Sequence, residues 1–168
     1  MRHKSFKSMV CPIARSLERV GEWWSIMILR DAFYGMTRFD EFQRSLGIAT
    51  NSLTRRLNGL VEAGLLERRL YSAHPPRHEY HLTERGQDFR PVLWSLVAWG
   101  TRNFSPEGPS ILIADRKTGA IADPVLVDRI TGRALTSSQF EVIPGPAASE
   151  GIKRRHVEKE SRQKGRAS

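Results

Sequence analysis

The sequence predicts a mainly helical α+β domain that carries one small antiparallel hairpin. Four segments with the apolar spacing of helices come first, and a glycine follows each of them. The spacing then changes to that of β-strands over residues 65–72 and 77–83, with Pro75-Pro76 in the connection. A last helical segment covers residues 83–104. The predicted order is therefore four helices, two strands and a final helix.

The first two helices differ in how much of their surface is apolar. Residues 12–20 place Pro12 at the first helical position, where proline is favoured, and Gly21 follows them. Residues 23–34 are apolar nearly all round, which is typical of a helix at the centre of a small bundle. We expect Gly35 to cap this central helix at its C-terminal end.

The third and fourth helices are amphipathic. The third is expected to begin near Thr37, acting as N-cap, and to end at Gly47. The fourth is expected to run from Thr50 to Ala63 and to stop at Gly64. Its apolar positions form one stripe: Leu53, Leu57, Leu60 and Val61.

The final helical segment has an apolar face that a domain of this size does not need for its own core. We expect Thr83 to cap the helix and Pro91 to kink it. The face is made of Phe89, Val92, Leu93, Trp94, Leu96, Val97 and Trp99.

The composition changes after Phe104 and predicts three regions: a domain over residues 1–104, a small β-rich extension over 105–150 and a basic disordered tail over 151–168. Lys and Arg outnumber Asp and Glu by 16 to 10 in the domain and by 7 to 2 in the tail. In the extension, 4 basic residues stand against 6 acidic ones. The net charge of +9 therefore arises outside the extension, and it favours a polyanionic partner such as nucleic acid.

The fourth helix has the two faces that a DNA-reading helix needs, a leucine back and a hydrogen-bonding front. Arginine pairs bidentately with guanine and asparagine with adenine, so Arg55 and Asn51 are predicted to read bases. Arg56 and Arg38 are predicted to contact phosphates. On the helix alone, an ordinary amphipathic surface helix is an equal alternative. The predicted DNA-binding residues here are Arg38, Thr50, Asn51, Ser52, Thr54, Arg55, Arg56 and Asn58.

The hairpin after this helix favours the DNA-binding interpretation. Its tip carries His74, Arg77 and His78, with further arginines on the first strand, and a basic tip suits contact with the DNA backbone. Pro75-Pro76 limits the entropy that is lost when the tip is placed on DNA. Together the elements predict a winged helix-turn-helix that binds double-stranded DNA.

Several short motifs follow one another in a fixed order between residues 9 and 104: Cys11-Pro12, Gly21–Trp24, Ile28–Asp31, Arg38–Phe42, Leu53–Leu57, Glu62–Leu66, Pro75–Tyr80, Leu82-Thr83, Gly86, Pro91–Leu93 and Trp99-Gly100. With these motifs the chain resembles the HxlR-type winged helix-turn-helix regulators, a MarR/HxlR-like family. The resemblance implies bacterial origin and a role as a sequence-specific repressor or activator of transcription.

The resemblance also implies a homodimer that binds an inverted-repeat operator. Such dimers join through their first and last helices, which agrees with the apolar face of the final helix. The interface residues implied are Ile13, Leu17, Phe89, Val92, Leu93, Leu96 and Trp99.

Two features depart from the family pattern. Trp23 stands where a lysine is usual, which removes one expected phosphate contact. In the extension, some similar regulators carry a small zinc ribbon with CxxCG knuckles, but this chain has Asp115–Gly119 and Asp128–Gly132 instead. We therefore expect a pair of metal-free hairpins there.

Cys11 lies just ahead of a helix N-terminus, where the helix dipole can lower the pKa of a thiol and make it reactive. Some similar regulators sense electrophiles or oxidants through this cysteine. The more ordinary role is that of a small buried apolar residue at the dimer interface. The sequence does not identify a small-molecule or electrophile effector.

No pattern predicts an enzyme, a cofactor or a metal site. The chain lacks a phosphate-binding glycine loop, a nucleophile elbow and a recognisable carboxylate pair. His78 and His81 would point to opposite faces of a strand. One cysteine allows neither an intramolecular disulfide nor a cysteine-based zinc site. No membrane span or secretory signal is recognisable, so we expect a cytoplasmic, nucleoid-associated protein.

Two other functions stay open at this point. The fold could serve as a protein–protein adaptor whose polar helix face contacts protein. Alternatively, the basic tail could make the chain a non-specific, architectural DNA binder.

Overall fold

The computed structural model describes residues 9–136 and 138–164 and divides the chain into two units. One unit is Glu22–Leu135, and the other joins Met1–Gly21 with Thr136–Ser168. The predicted domain boundaries at residues 104 and 150 stay predictions. Within the described ranges, no helix is both long enough and apolar enough to cross a membrane.

The unit Glu22–Leu135 contains most of the helices and both hairpins. Its elements in chain order are α2 (Trp23–Phe33), α3 (Phe39–Leu46), α4 (Thr50–Glu62), β1 (Leu66–Ala73), β2 (Pro76–Leu82), α5 (Glu84–Gln87), α6 (Arg90–Phe104), β3 (Ile113–Ala114) and β4 (Ile121–Ala122). The remaining unit holds α1 (Pro12–Val20) and α7 (Glu150–Lys164). The mainly helical winged helix fold predicted from the sequence is confirmed.

The core of the larger unit is built around α2, which packs on α3, α4, α6 and β2. This central position confirms the prediction made from its nearly continuous apolar surface. The leucines of α4 lie on the buried side of that helix, as the stripe predicted. Fully buried side chains from four elements meet here: Ile28, Leu29, Phe42, Leu53, Leu57, Leu60 and Leu66.

Glu41 caps α3. Its Oε2 accepts hydrogen bonds from the backbone N–H groups of Thr37 and Arg38, each at 2.9 Å. The residue in the N-cap position is Arg38, one residue later than predicted. The helix ends at Gly47, whose φ of 60° lies in the left-handed region that favours glycine.

The cap makes stability depend on the charge of Glu41. Hydrogen bonds from the Arg38 and Thr37 backbone lower the pKa of this carboxyl below 4.5. A lowered folded-state pKa stabilises the protein fully above the unfolded value, and that contribution is lost as the pH falls through the folded value. We expect Glu41→Ala to reduce the free energy of unfolding by about 1 kcal/mol at pH 7. Urea denaturation should show the difference shrinking below about pH 4.5.

Glu107→Ala is the matched control, because Glu107 is exposed in the extension. An equal loss of stability in both variants, or a loss in Glu41→Ala that does not change with pH, would contradict the capping role.

The first hairpin is anchored at its base to the segment before α3. β1 and β2 pair antiparallel from Leu66 opposite Leu82 to Ala73 opposite Pro76, and the register shifts between Leu70 and Ser72. The backbone N–H of Tyr80 donates to the Thr37 carbonyl at 2.7 Å. The base of the hairpin is therefore fixed beside the start of α3.

The single kinked helix predicted over residues 83–104 is wrong. The chain forms α5 and α6 as two helices separated by Asp88 and Phe89, and Pro91 falls in the first turn of α6. Proline lacks an N–H and its ring clashes with the carbonyl four residues earlier, so the first turn of a new helix suits it. The Thr83 cap is confirmed: its Oγ1 accepts from the backbone N–H of Gly86 at 3.0 Å.

The extension contains little regular strand. β3 and β4 pair through two residues each, and one isolated bridge joins Val127 to Ala134. The turns between the paired segments share one design. In the first, Asp115 Oδ1 accepts from the backbone N–H of Lys117 and from the N–H and hydroxyl of Thr118. The Asp128 carboxylate makes the same three bonds with residues 130 and 131.

The disorder predicted for residues 151–168 is wrong as far as Lys164, because α7 is helical from Glu150 to that residue. Residues 165–168 lie outside the described part of the chain. Opposite charges spaced for a helix explain the difference: Lys153 Nζ lies 2.8 Å from Glu150 Oε1, and Arg154 Nε lies 3.8 Å from Glu158 Oε1. The high charge that suggested disorder is arranged as favourable pairs.

Candidate nucleic-acid interface

The exposed face of α4 carries most of the predicted base-reading side chains. Asn51, Arg55 and Asn58 are exposed, and none of them forms a side-chain hydrogen bond within the described part of the chain. Together with Thr54 and Gly59, they line a shallow open depression on the surface of α4. These donors and acceptors are free to bind a partner.

The two threonines of this face are already engaged. Gln43 Nε2 donates to Thr50 Oγ1 at 2.9 Å, which ties α3 to the first turn of α4. Thr54 Oγ1 donates to the Thr50 carbonyl at 2.9 Å. Both threonines remain exposed, and Ser52 is half-buried. Gln43 is a residue that sequence reasoning missed, because nothing in its local pattern shows that it reaches the next helix.

Arg56 differs from its neighbour Arg55. Its Nη2 lies 2.8 Å from Glu22 Oε2 at the start of α2, and only 19% of its side chain is exposed. This geometry does not favour the predicted phosphate contact, because Glu22 already binds the guanidinium of Arg56. Glu22 was missed because the pair joins residues far apart in the sequence.

Arg38 is placed between α3 and the hairpin. Its Nε donates to Glu79 Oε1 at 3.1 Å, and its guanidinium lies 4.7 Å from the centroid of the Tyr71 ring. The Glu79 hydrogen bond raises the pKa of Arg38, and the same bond, followed by one from His81, lowers the pKa of Glu79. About half of the Arg38 side chain is exposed, so it can still reach a phosphate.

The tip of the hairpin is exposed as predicted. His74 and Arg77 are open to solvent, whereas His78 is half-buried opposite Leu70. Within the described residues, no cluster of three or more His, Cys, Asp or Glu side chains could hold a metal ion. Cys11, in the other unit, is the half-buried N-cap residue of α1 and is a free thiol.

The residues predicted for a dimer interface divide into two groups. Ile13 and Leu17 on α1 are exposed, as are Val92, Leu96 and Trp99 on α6. By contrast, Phe89 and Leu93 are half-buried, and Leu93 lines a pocket between α6 and α2. The apolar surface of α6 therefore has two sides, one facing its own unit and one left open.

A helix pair presenting an exposed polar face, followed by a basic hairpin, defines the class of winged helix-turn-helix DNA-binding proteins. Residues 19–108 match the family model described as HxlR-like helix-turn-helix. The chain belongs to this family, and it is a transcriptional regulator with a DNA-binding domain, not an enzyme.

Relatives and solved structures agree with that family. The chain is 43% identical over 135 residues to Rv3095 of Mycobacterium tuberculosis, an uncharacterised HTH-type transcriptional regulator, covering 80% of this chain and 85% of the relative. Among solved structures, PA1374 of Pseudomonas aeruginosa, a candidate transcription factor, is 54% identical with a TM-score of 0.61, covering 86% of this chain and 99% of its own. PA1607, another candidate transcription factor, is 35% identical with a TM-score of 0.74, covering 84% and 100%.

Proposed function

We propose that the protein binds an inverted-repeat operator in duplex DNA as a homodimer, and that α4 reads the sequence in the major groove. The observation that carries this proposal is the division of α4 into two sides. Leu53, Leu57 and Leu60 are fully buried, while Asn51 and Arg55 are exposed without hydrogen-bonding partners in the described chain. A helix anchored in this way presents its polar groups to a groove wide enough to admit it.

The proposed contacts fall into two kinds. Arg55 would pair with guanine and Asn51 with adenine, because these pairings match the edges of the bases in the major groove. Eight further residues would contact the DNA backbone and position the domain without reading the sequence: Arg38, Thr50, Ser52, Thr54, Asn58, His74, Arg77 and His78. We propose that Arg56 does not contact phosphate. Its ion pair with Glu22 would instead fix the orientation of α4 relative to α2. Since the proposed partner is chromosomal DNA, the protein would act in the cytoplasm, on the nucleoid.

The open side of α6 supports the homodimer. Val92, Leu96 and Trp99 are each more than 40% exposed, and spacings of three and four residues place them on one side of a helix. Burying such a stripe against a second copy removes apolar surface from water. A two-fold dimer places two copies of α4 on two half-sites about one helical turn apart, which is why we propose an inverted repeat.

Leu96→Glu is expected to convert the dimer into a monomer, because a charge in the middle of the stripe would be buried without a partner. Size-exclusion chromatography with light scattering would report the molar mass directly. Ile130→Glu is the matched control, since Ile130 is 91% exposed in a turn of the extension. A monomeric wild-type chain, or a Leu96→Glu variant that stays dimeric, would contradict the proposed interface.

A gel-shift experiment distinguishes the proposed sequence-specific regulator from the two alternatives, an architectural DNA binder and a protein–protein adaptor. The DNA is the intergenic segment upstream of the protein's own gene, compared with random duplex across a salt series. A sequence-specific regulator keeps its preference at moderate salt, whereas an architectural binder loses affinity for both duplexes together. An adaptor binds neither. Deleting residues 151–168, with 7 basic and 2 acidic residues, should weaken binding to both duplexes equally.

A further inference from the structure

A pocket of about 310 Å³ lies within the unit Glu22–Leu135, between α2, α6 and the β3 segment of the extension. One side is aromatic and apolar, with Phe33, Tyr34 and Trp94 in the wall. Ligand pockets in proteins commonly range over about 300–1,000 Å³, so this one suits a small molecule with a single ring.

The charged part of the lining is basic. Three arginines line the pocket, Arg30 from α2, Arg90 from the start of α6 and Arg116 from the turn after β3, and no carboxylate of the described residues lines it. Arg30 is ion-paired with Asp31, whereas Arg90 and Arg116 form no ion pair with the described residues, so their positive charge would attract a bound anion.

Two of these arginines are held in place by the protein. Arg30 Nη2 lies 2.6 Å from Oδ1 of Asp31, a carboxylate that is almost fully buried. The Arg90 guanidinium lies 4.8 Å from the centroid of the Phe33 ring, and its Nη2 donates to Gln87 Oε1 at 2.9 Å. Positioned side chains of this kind lose little freedom when a ligand arrives.

Arg116 is different, because it is exposed and its side chain forms no hydrogen bond or ion pair with the other described residues. It follows Asp115, whose carboxylate is occupied by backbone and hydroxyl donors in its own turn. Arg116 therefore has its full set of donors available at the rim of the pocket.

We propose that this pocket binds a small aromatic carboxylate, with the ring against Phe33 and Trp94 and the acidic group facing the arginines. Arginine and carboxylate form charge-assisted hydrogen bonds that are stronger than neutral ones. The wall supplied by β3 and Arg116 lies beyond residue 108, where the match to the family model ends. The site is thus a property of the extension joined to the helical core, and it does not depend on the proposed operator.

The pocket and the open stripe use different sides of α6. Leu93, Trp94 and Val97 line the pocket, whereas Leu96 and Trp99 belong to the stripe. A ligand could therefore bind while the stripe is covered by a second copy.

The test uses the full chain, without DNA, and an NMR titration that follows the indole N–H signal of Trp94, assigned with Trp94→Phe. Benzoate and phenylacetate are the probes, and benzamide is the neutral counterpart of benzoate. We expect saturable shifts with both carboxylates and at least about tenfold weaker binding of benzamide.

Arg116→Gln should weaken benzoate binding by about tenfold, and Arg129→Gln should leave it unchanged. The two arginines occupy the same position in the paired Asp-Arg-x-Thr-Gly turns, but Arg129 does not line the pocket. The proposal is overturned if neither carboxylate gives saturable shifts, if benzamide binds as well as benzoate, or if the two arginine variants bind benzoate equally.

Discussion

Replacing Arg55 by alanine is expected to reduce the preference for operator over random DNA by about 5- to 150-fold, equal to about 1–3 kcal/mol of discrimination. Arg55 is exposed on α4 and has no partner among the described residues, so the change removes a base contact without disturbing the fold. Gel shifts on both duplexes at one fixed salt concentration would measure the two dissociation constants.

Arg129→Ala is the charge-matched control, because it removes the same charge from an exposed turn of the extension. Both variants should lose some affinity for random DNA, but only Arg55→Ala should lose the preference. If Arg55→Ala weakens binding to both duplexes by the same factor, Arg55 contacts phosphate and the sequence is read elsewhere.

Leu57→Ala is expected to reduce the free energy of unfolding by about 2–5 kcal/mol, through lost burial and the cavity that remains. Leu57 is fully buried on the inner side of α4. Because the whole stability of a domain this size is on the order of 5–15 kcal/mol, the effect should be visible as an early urea transition. Leu70→Ala makes the same chemical change at a residue that is 57% exposed on the hairpin, and it should cost far less.

Both variants should be compared at a temperature where Leu57→Ala is still folded by circular dichroism. Equal stability of the two variants would show that α4 is not anchored by its leucines, and the division of that helix into two sides would fail with it.

The local features of the fold could be predicted from the sequence because they depend on neighbours along the chain. The leucine spacing of α4 identified its buried side, and the Thr83 cap and the Gly47 end of α3 followed from local backbone requirements. The two strands of the first hairpin were also found from their alternation and the proline pair between them.

Contacts between distant segments could not be predicted in this way. Arg55 and Arg56 are adjacent and chemically identical, yet Glu22 pairs with Arg56 while Arg55 has no partner among the described residues. Arg38 likewise is aligned by Tyr71 and Glu79, which no spacing in the sequence connects to it. The predicted DNA-binding set therefore stays a prediction, and the separate surroundings of its arginines depend on tertiary packing that the sequence does not show.

The helix α6 carries two candidate binding surfaces, the wall of the pocket on one side and the open stripe on another. Residues that line the pocket and residues of the open stripe alternate along this one helix. A rotation of α6 about its own axis would therefore displace both sets together. If a ligand beside Trp94 were to turn α6, the surface that carries Leu96 and Trp99 would therefore move as well.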